Sequence, residues 1–279
     1  MGPLAAAYTT VTIAPPARWG GFGLRELWEA RELLYFMTKR ELQIRYKQSL
    51  FGVSWAVLQP LVYAFVFALF FGRLVNVPSD GFPYPIFALT ALVPWIFVSQ
   101  SVSQAAGSLV GDANLLGKVY FPRLVIPLAK VTSFLIDLVI ALCVLGLFVA
   151  LYGQSPSVGL LALPVFLLLG FVTALGAGTL LATLNVRYRD VTVAIPLLIQ
   201  LWLFATPVIY PGSLISGAWQ HVYALNPMVS VIDGVRWGLI GADAPALVDV
   251  AISAAAAIVL LVAGTAYFRR AERFFADII

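Results

Sequence analysis

The alternation of long apolar runs with short polar islands constrains this chain more than any other feature. Between about residues 51 and 268, stretches of some twenty apolar residues recur, and the charges gather between them. About 20 apolar residues are what an α-helix needs to cross a hydrocarbon core of roughly 30 Å. Backbone polar groups in hydrocarbon must be satisfied within the segment itself, so such runs fold as helices. Of the 279 residues, 61% are hydrophobic and 11% charged, against about 25% charged in soluble domains, and the mean hydropathy is +0.95. The expectation is an all-α integral membrane protein with six spans, near 51–72, 86–103, 124–152, 160–184, 191–208 and 247–268. Pro60 inside the first run predicts a bend or a local break in hydrogen bonding, and Thr206-Pro207 closes the fifth.

The largest island, GSLVGDANLLGKVYFPR (107–123), is too polar to cross a bilayer. It is long enough for one short helix between turns at Gly111, Gly117 and Pro122, with Asp112 or Asn114 as cap. Its glycines and Lys118 mimic a phosphate-binding loop, but five residues separate Gly111 from Gly117, and Val119 stands where a magnesium-binding hydroxyl is needed. No nucleotide site is expected in this chain. A second island, NVRYRD (185–190), has the same sidedness. Between the fifth and sixth runs, residues 209–245 are rich in Gly, Pro and aromatics yet too apolar for a free loop, which fits two short re-entrant helices covered by protein.

Ahead of the first span, residues 24–38 carry Leu24, Leu27, Trp28, Leu34 and Tyr35 on one side of a helix and Arg25, Glu26, Glu29 and Glu32 on the other. An amphipathic helix at the membrane surface, or one packed on another subunit, satisfies the pattern. Lys39, Arg40, Arg45 and Lys47 follow as a basic collar. Residues 1–23 lack the basic start and long apolar core of a secretory signal and read as a flexible lead. Placing both termini and both islands on one side gathers fifteen basic residues there, against Arg73 and Arg236 on the other. By the positive-inside rule that side is the cytoplasm. The expected organisation is a lead (1–23), a cytoplasmic interface helix and collar (24–48), a six-span domain (49–268) and a cytoplasmic tail (269–279).

Catalytic equipment is missing from the pattern. The one histidine, His221, and the one cysteine, Cys143, exclude a histidine cluster, a disulfide framework and a thiolate metal site. The formal charge of +4 is explained by sidedness and does not imply nucleic acid. One residue stands out chemically. Asp137 lies well inside the third run, where an ionised carboxylate costs about 2.5–3.5 kcal/mol, with Lys130 and Ser133 on its side of the helix. It is either part of a translocation path or a satisfied helix–helix contact.

Six ordered segments carry a resemblance: ELQIRYKQSLFGVSWAVLQP (41–60), LLGKVYFPRLVIPLAKV (115–131), NVRYRDV, ATPVIYP, LNPMVSVIDGVRWGL and YFRRAERFFADII. Together they resemble the permease subunit of type-two ABC exporters, in the branch that moves O-antigen, capsule or teichoic-acid chains across the bacterial inner membrane. The resemblance implies a homodimer on two separate ATPase subunits, which would bind ATP and Mg2+, and a lipid-linked glycan as cargo. It implies that Asp112, Asn114, Leu115, Leu116, Lys118, Val119 and Tyr120 form a coupling helix against the ATPase. Arg187, Tyr188, Arg189 and Asp190 would make a second contact. Leu24, Leu27, Trp28, Arg31 and Tyr35 would belong to the interface helix, and residues 211–242 to the re-entrant pair. For a glycan path, aromatic rings on which sugars stack are expected. Tyr63, Phe67, Phe70, Trp95, Phe97 and Trp202 are candidates beside Asp137, each with a plainer reading as lipid-facing bulk. A drug exporter of the same architecture, or an ATPase-independent transporter or channel, stands as the alternative.

Overall fold

A computed structural model describes residues 24–47, 52–116, 121–188, 190–272 and 275; of Leu24, Arg25, Asn114, Leu116 and Ala218 only the backbone is described. Among these residues the fold is all helix. Helices α1 (Leu24–Glu29) and α2 (Arg31–Tyr46) are followed by α3 (Trp55–Phe67), which widens into a π-helical segment, Ala68–Leu74. Then come α4 (Tyr84–Gly111), the single turn α5 (Ala113–Leu116), α6 (Val125–Leu151), α7 (Leu163–Arg187) and α8 (Asp190–Phe204). Helices α9 (Ala218–Tyr223), α10 (Pro227–Ile240) and α11 (Leu247–Ala271) complete the chain.

Among the described residues, five helical stretches are long and apolar enough to cross a membrane: Gly52–Leu74, Tyr84–Gly111, Val125–Leu151, Val158–Arg187 and Leu247–Ala271. The predicted fifth span differs. Its helix α8 has 15 residues, about 22 Å at 1.5 Å per residue, because Pro207 biases Thr206 away from helical geometry. Helix α3 runs through Pro60, and the departure from α-helical winding comes later, at 68–74. The second span continues past the polar SQSVSQ to Gly111, extending the predicted end at 103.

Helix α4 lies at the centre, packed by α3, α6, α7 and α10. Ile86, Phe87, Leu89, Val98, Val102 and Leu109 along it are almost completely buried. In lipid, apolar burial between helices supplies little driving force, so close packing and interhelical hydrogen bonds must hold such a bundle. Both are present. Gly176 on α7 meets the backbone of α11 at Leu260 and Leu261, and Gly264 on α11 meets the Gly176 carbonyl. Asn226 joins α8 to α10 through every polar atom of its side chain. Its Oδ1 caps α10 by accepting from the Met228 amide (3.2 Å) and also accepts from Trp202 Nε1 (2.9 Å). Its Nδ2 donates to the Ala205 carbonyl and the Thr206 hydroxyl, each at 2.9 Å. Pro227 at the first helical position suits this start, and Gly241, at φ 70°, ends α10 in the left-handed conformation.

A second, smaller core gathers the ends of the long helices around α2. Met37 packs with Leu109 from α4, Val125 and Ile126 from α6, Val186 from α7 and Phe268 from α11. The end of α4, the start of α6 and the ends of α7 and α11 therefore share one end of the bundle, called here the α2 end. Helix α11 begins at the opposite end, where Asp249 meets His221 and Gln220 of α9.

Candidate functional site

At the α2 end, α2 is fastened to the bundle by a ladder of charges. Glu41 and Arg45 stand one turn apart on α2, while Lys130, Ser133 and Asp137 span two turns of α6, so the two rows face each other. Lys130 Nζ lies 2.6 Å from Glu41 Oε2 and 3.6 Å from Asp112 Oδ2, and Arg40 Nη1 lies 3.2 Å from Asp112 Oδ1. Farther along, Arg45 pairs through Nη1 with Asp137 and donates through Nη2 to Ser133 Oγ at 2.8 Å. Its guanidinium also sits 3.6 Å over the Phe134 ring. The Tyr46 hydroxyl donates to the other Asp137 oxygen. Burial first, and then the Asp137 carboxylate, push that hydroxyl up to about 12, so it stays protonated and donating near neutral pH.

This arrangement places the intramembrane carboxylate. Asp137 is satisfied by a helix outside the spans, and Arg40 and Arg45 of the basic collar are used as ion-pair partners. Asp137 nevertheless faces space. With Arg45, Trp55, Gln59, Phe97 and Phe134 it lines a cavity of about 180 Å³ between α2, α3, α4 and α6. The other path candidates do not converge there. Tyr63 and Phe70 are exposed on the outer face of the first span, and Phe67 packs between Tyr63 and Phe71. Trp95 is buried edge-to-face against Trp202 at 5.5 Å. Among the described residues the path candidates thus fall into two separate aromatic groups and the wall of this cavity rather than one continuous lining.

The interface helix splits the residues that its periodicity had grouped. Leu27, Ala30, Leu33 and Leu34 pack on the smaller core, whereas Trp28 (69% exposed) and Tyr35 (62%) point outward. Arg31 lies over the Trp28 ring at 5.5 Å. The inward face is drawn instead by Met37 and Glu41, both buried. Outward Trp28 and Tyr35 suit headgroup depth at a membrane surface.

Of the first island, Asp112 is turned inward, 7% exposed, and held by Arg40 and Lys130. Leu115 packs against the smaller core. Lys118, Val119 and Tyr120 lie outside the described residues, as does Arg189 of the second island, and Asn114 and Leu116 are described by backbone alone. Arg187 and Tyr188 are exposed, with the guanidinium 5.4 Å from the ring, and Asp190 opens α8. Asn185, which sequence reasoning left without a role, ties this island down: its Nδ2 donates to the Ala106 carbonyl of α4 (3.0 Å), and its Oδ1 accepts from Thr192 of α8 (2.7 Å). An amide at the junction of the fourth apolar run and the second island was the available signal. Among the described residues no group of His, Cys, Asp and Glu is arranged to hold a metal ion.

Comparison with known proteins agrees with this architecture. The family described as ABC-2 type transporter matches residues 32–240. The O-antigen export system permease protein RfbA of Myxococcus xanthus is 34% identical over 260 residues, covering 92% of this chain and 98% of that protein. A protein of the same name from Klebsiella pneumoniae is 27% identical over 250 residues, covering 89% and 95%. The match includes α2 with its ladder, the central helix and both islands, so the chain belongs to the ABC-2 type transporter family and is a multi-pass membrane protein.

Proposed function

We propose that this chain is the membrane-spanning subunit of an ATP-driven exporter that moves a lipid-linked O-antigen, or a related polysaccharide, from the cytoplasm across the inner membrane. The observation that carries the reading is similarity over nearly the full length of proteins named as O-antigen export permeases. Two copies pair, and two separate ATPase subunits dock at the α2 end and supply ATP and Mg2+. Residues 113–121 and 187–190 are the contacts they push, and residues 24–47 form the interface helix that frames them. The ladder gives that push a physical route. Asp112, at the root of the first contact, is gripped by α2 and α6 together, so a displacement there is delivered to both. Asn185 does the same between the second contact and α4.

The positions of the helix ends support six crossings. Helix α7 finishes at the α2 end and α11 starts at the opposite end, so we take the segment from α8 to α10 as carrying the chain across, with α8 as the short fifth span. Helices α9 and α10 are the re-entrant pair on the outer side. An ion pair between Arg269 and Glu26 at 3.2 Å supports both termini on one side, and the positive-inside rule makes that side cytoplasmic.

Purification of the tagged chain from its host in mild detergent should yield a stoichiometric companion carrying a phosphate-binding loop, identified by mass spectrometry. A clean homo-oligomer in several detergents would overturn the reading in favour of a channel or secondary transporter. Topology is checked separately. With the exposed Cys143 replaced by Ala, a Pro78→Cys variant should react with a membrane-impermeant maleimide in intact cells. Reaction only after permeabilisation would invert the assignment.

A further inference from the structure

Four polar side chains inside the spans have no hydrogen-bond partner among the described residues: Gln59 on α3 and Gln100, Ser103 and Gln104 on α4. Ser99 and Ser108, on either side of them along α4, donate to carbonyls of their own helix. Of the five spans α4 is the most enclosed, yet Gln104 is exposed and Gln100 and Ser103 are half-buried. Ile96, Gln100, Ser103, Gln104 and Gly107 recur at helical spacing and share a face. Ile96 and Gln59 line the cavity beside Asp137, so the face continues that cavity wall towards the α2 end.

This face lies at membrane depth. Gly178 of α7 packs on Ala105, next to Gln104, and Gly176 packs on Leu261 of α11. Leu261 stands two turns short of Arg269, the first basic residue at the α2 end of α11. Gln104 is therefore about 12 Å inside that level, and Gln100 a turn deeper. An amide without a partner is unfavourable against hydrocarbon, so the face must meet something polar. It is also recessed. Helix α3 stands on one side of it, sharing the cavity wall, and α8 on the other, with Trp202 against Trp95. These flanks present apolar side chains outward, Trp55 and Leu58 on α3 and Leu197 and Leu201 on α8. Apolar rims suit lipid or a second copy of the chain; a polar floor set back between them is left for a hydrated occupant.

The chemistry of the floor selects among such occupants. From Tyr84 to Gly111, α4 carries no charged residue, and Arg45 and Asp137 in the adjoining cavity neutralise each other. Nothing on the floor anchors an anion or a cation, and an apolar molecule gains nothing from amides. Glutamine and serine side chains each donate and accept, as do water and carbohydrate hydroxyls. We propose that Gln59, Gln100, Ser103 and Gln104 form the hydrated floor of a groove along which a hydroxyl-rich chain slides, exchanging hydrogen bonds with water as it moves. The proposal rests on the polysaccharide-exporter reading above, and puts the path on the amides of α4 rather than on aromatic rings.

The test uses the full chain in membranes of its host, with Cys143 replaced by Ala. Gln100→Cys, Ser103→Cys and Gln104→Cys are compared with Val139→Cys on the exposed apolar face of α6. A charged methanethiosulfonate reagent attacks the thiolate, which forms only where water reaches. It should modify the three α4 cysteines at least tenfold faster than Val139→Cys. Cargo contact is read with a benzophenone amino acid in place of Gln104. Illumination of cells making polysaccharide should give a heavier adduct that stains for carbohydrate after periodate oxidation, and the same group at Val139 should give none. Equal modification rates at all four positions would mean that the face meets lipid. A photoadduct between two copies of the chain would give the face to a second copy. A water-accessible face with no carbohydrate adduct would leave the groove without this cargo. Each of these overturns the proposal. Any of them with an ATPase companion present refutes the floor alone, whereas a missing companion refutes the exporter reading.

Discussion

Replacing Arg45 with alanine is expected to release α2 from the bundle and to abolish or severely reduce export. The Arg45–Asp137 pair is partly buried, at 25% and 18% side-chain exposure, and removing one member strands the other. Breaking a buried pair in this way costs about 3–5 kcal/mol, and partial solvent access argues for the lower figure. A loss of about 3 kcal/mol is roughly a hundredfold rise in the opening equilibrium of α2. Limited trypsinolysis reads this directly. Lys39 and Arg40 lie on α2 next to the buried Glu41, and cleavage that requires local opening tracks its equilibrium population. Cleavage after these residues should therefore accelerate by about two orders of magnitude in the variant. Asp137→Asn should be milder, because Tyr46 can still donate to the amide oxygen and the partly exposed Arg45 can turn its head to water. The Arg45→Ala/Asp137→Ala double variant should lose less than the sum of the two single alanine variants, as contacting partners do. Unchanged tryptic cleavage in Arg45→Ala, with normal export, would remove the ladder from the mechanism.

Half of that ladder could be read before any coordinates. Lys130, Ser133 and Asp137 share a helix face by spacing alone, and the carboxylate inside an apolar run demanded a partner. The partner is hidden from local pattern because Arg45 lies 92 residues away, and a basic residue beside a span reads as a headgroup contact. Apolar runs located the helices for a similar reason: hydrophobicity reports that a segment avoids water, and hence where it crosses. It does not report whether lipid or protein covers it, so α4, enclosed on nearly every side, resembled its lipid-facing neighbours in sequence. The same ambiguity separates the path candidates, of which Trp95 proved to be buried packing and Tyr63 an exposed ring. Tyr35 and Leu34 are adjacent in a stripe yet divide between the surface and the core, because α2 is held by charges that the apolar periodicity ignores.

A single methyl group added at Gly176 is expected to be among the most damaging small changes available to this chain. A Cβ there would stand 2.7 Å from the Leu261 amide nitrogen and 2.9 Å from the Leu260 carbonyl carbon. Those atoms are backbone of α11 and cannot rotate away, so α7 and α11 must separate. Overpacking typically costs about 1–3 kcal/mol, and the upper end applies because helix association in lipid rests on contacts of this kind. Gly264→Ala meets the same crossing from the other side, its Cβ 2.6 Å from the Gly176 carbonyl. Once one methyl has parted the helices the second finds room, so the double variant should be clearly less destabilised than the sum. Gly107 and Gly146 provide the contrast, since nothing stands within 4 Å of a Cβ at either. There alanine should be neutral or gain up to about 1 kcal/mol from helix propensity. Thermal unfolding of the four single variants and the double, each in the same detergent, decides the matter. Equal Tm values at Gly176 and Gly107 would mean that the α7–α11 crossing is not close-packed, and the bundle would then have to be held mainly by its polar ties at Asn185, Asn226 and the α2 ladder.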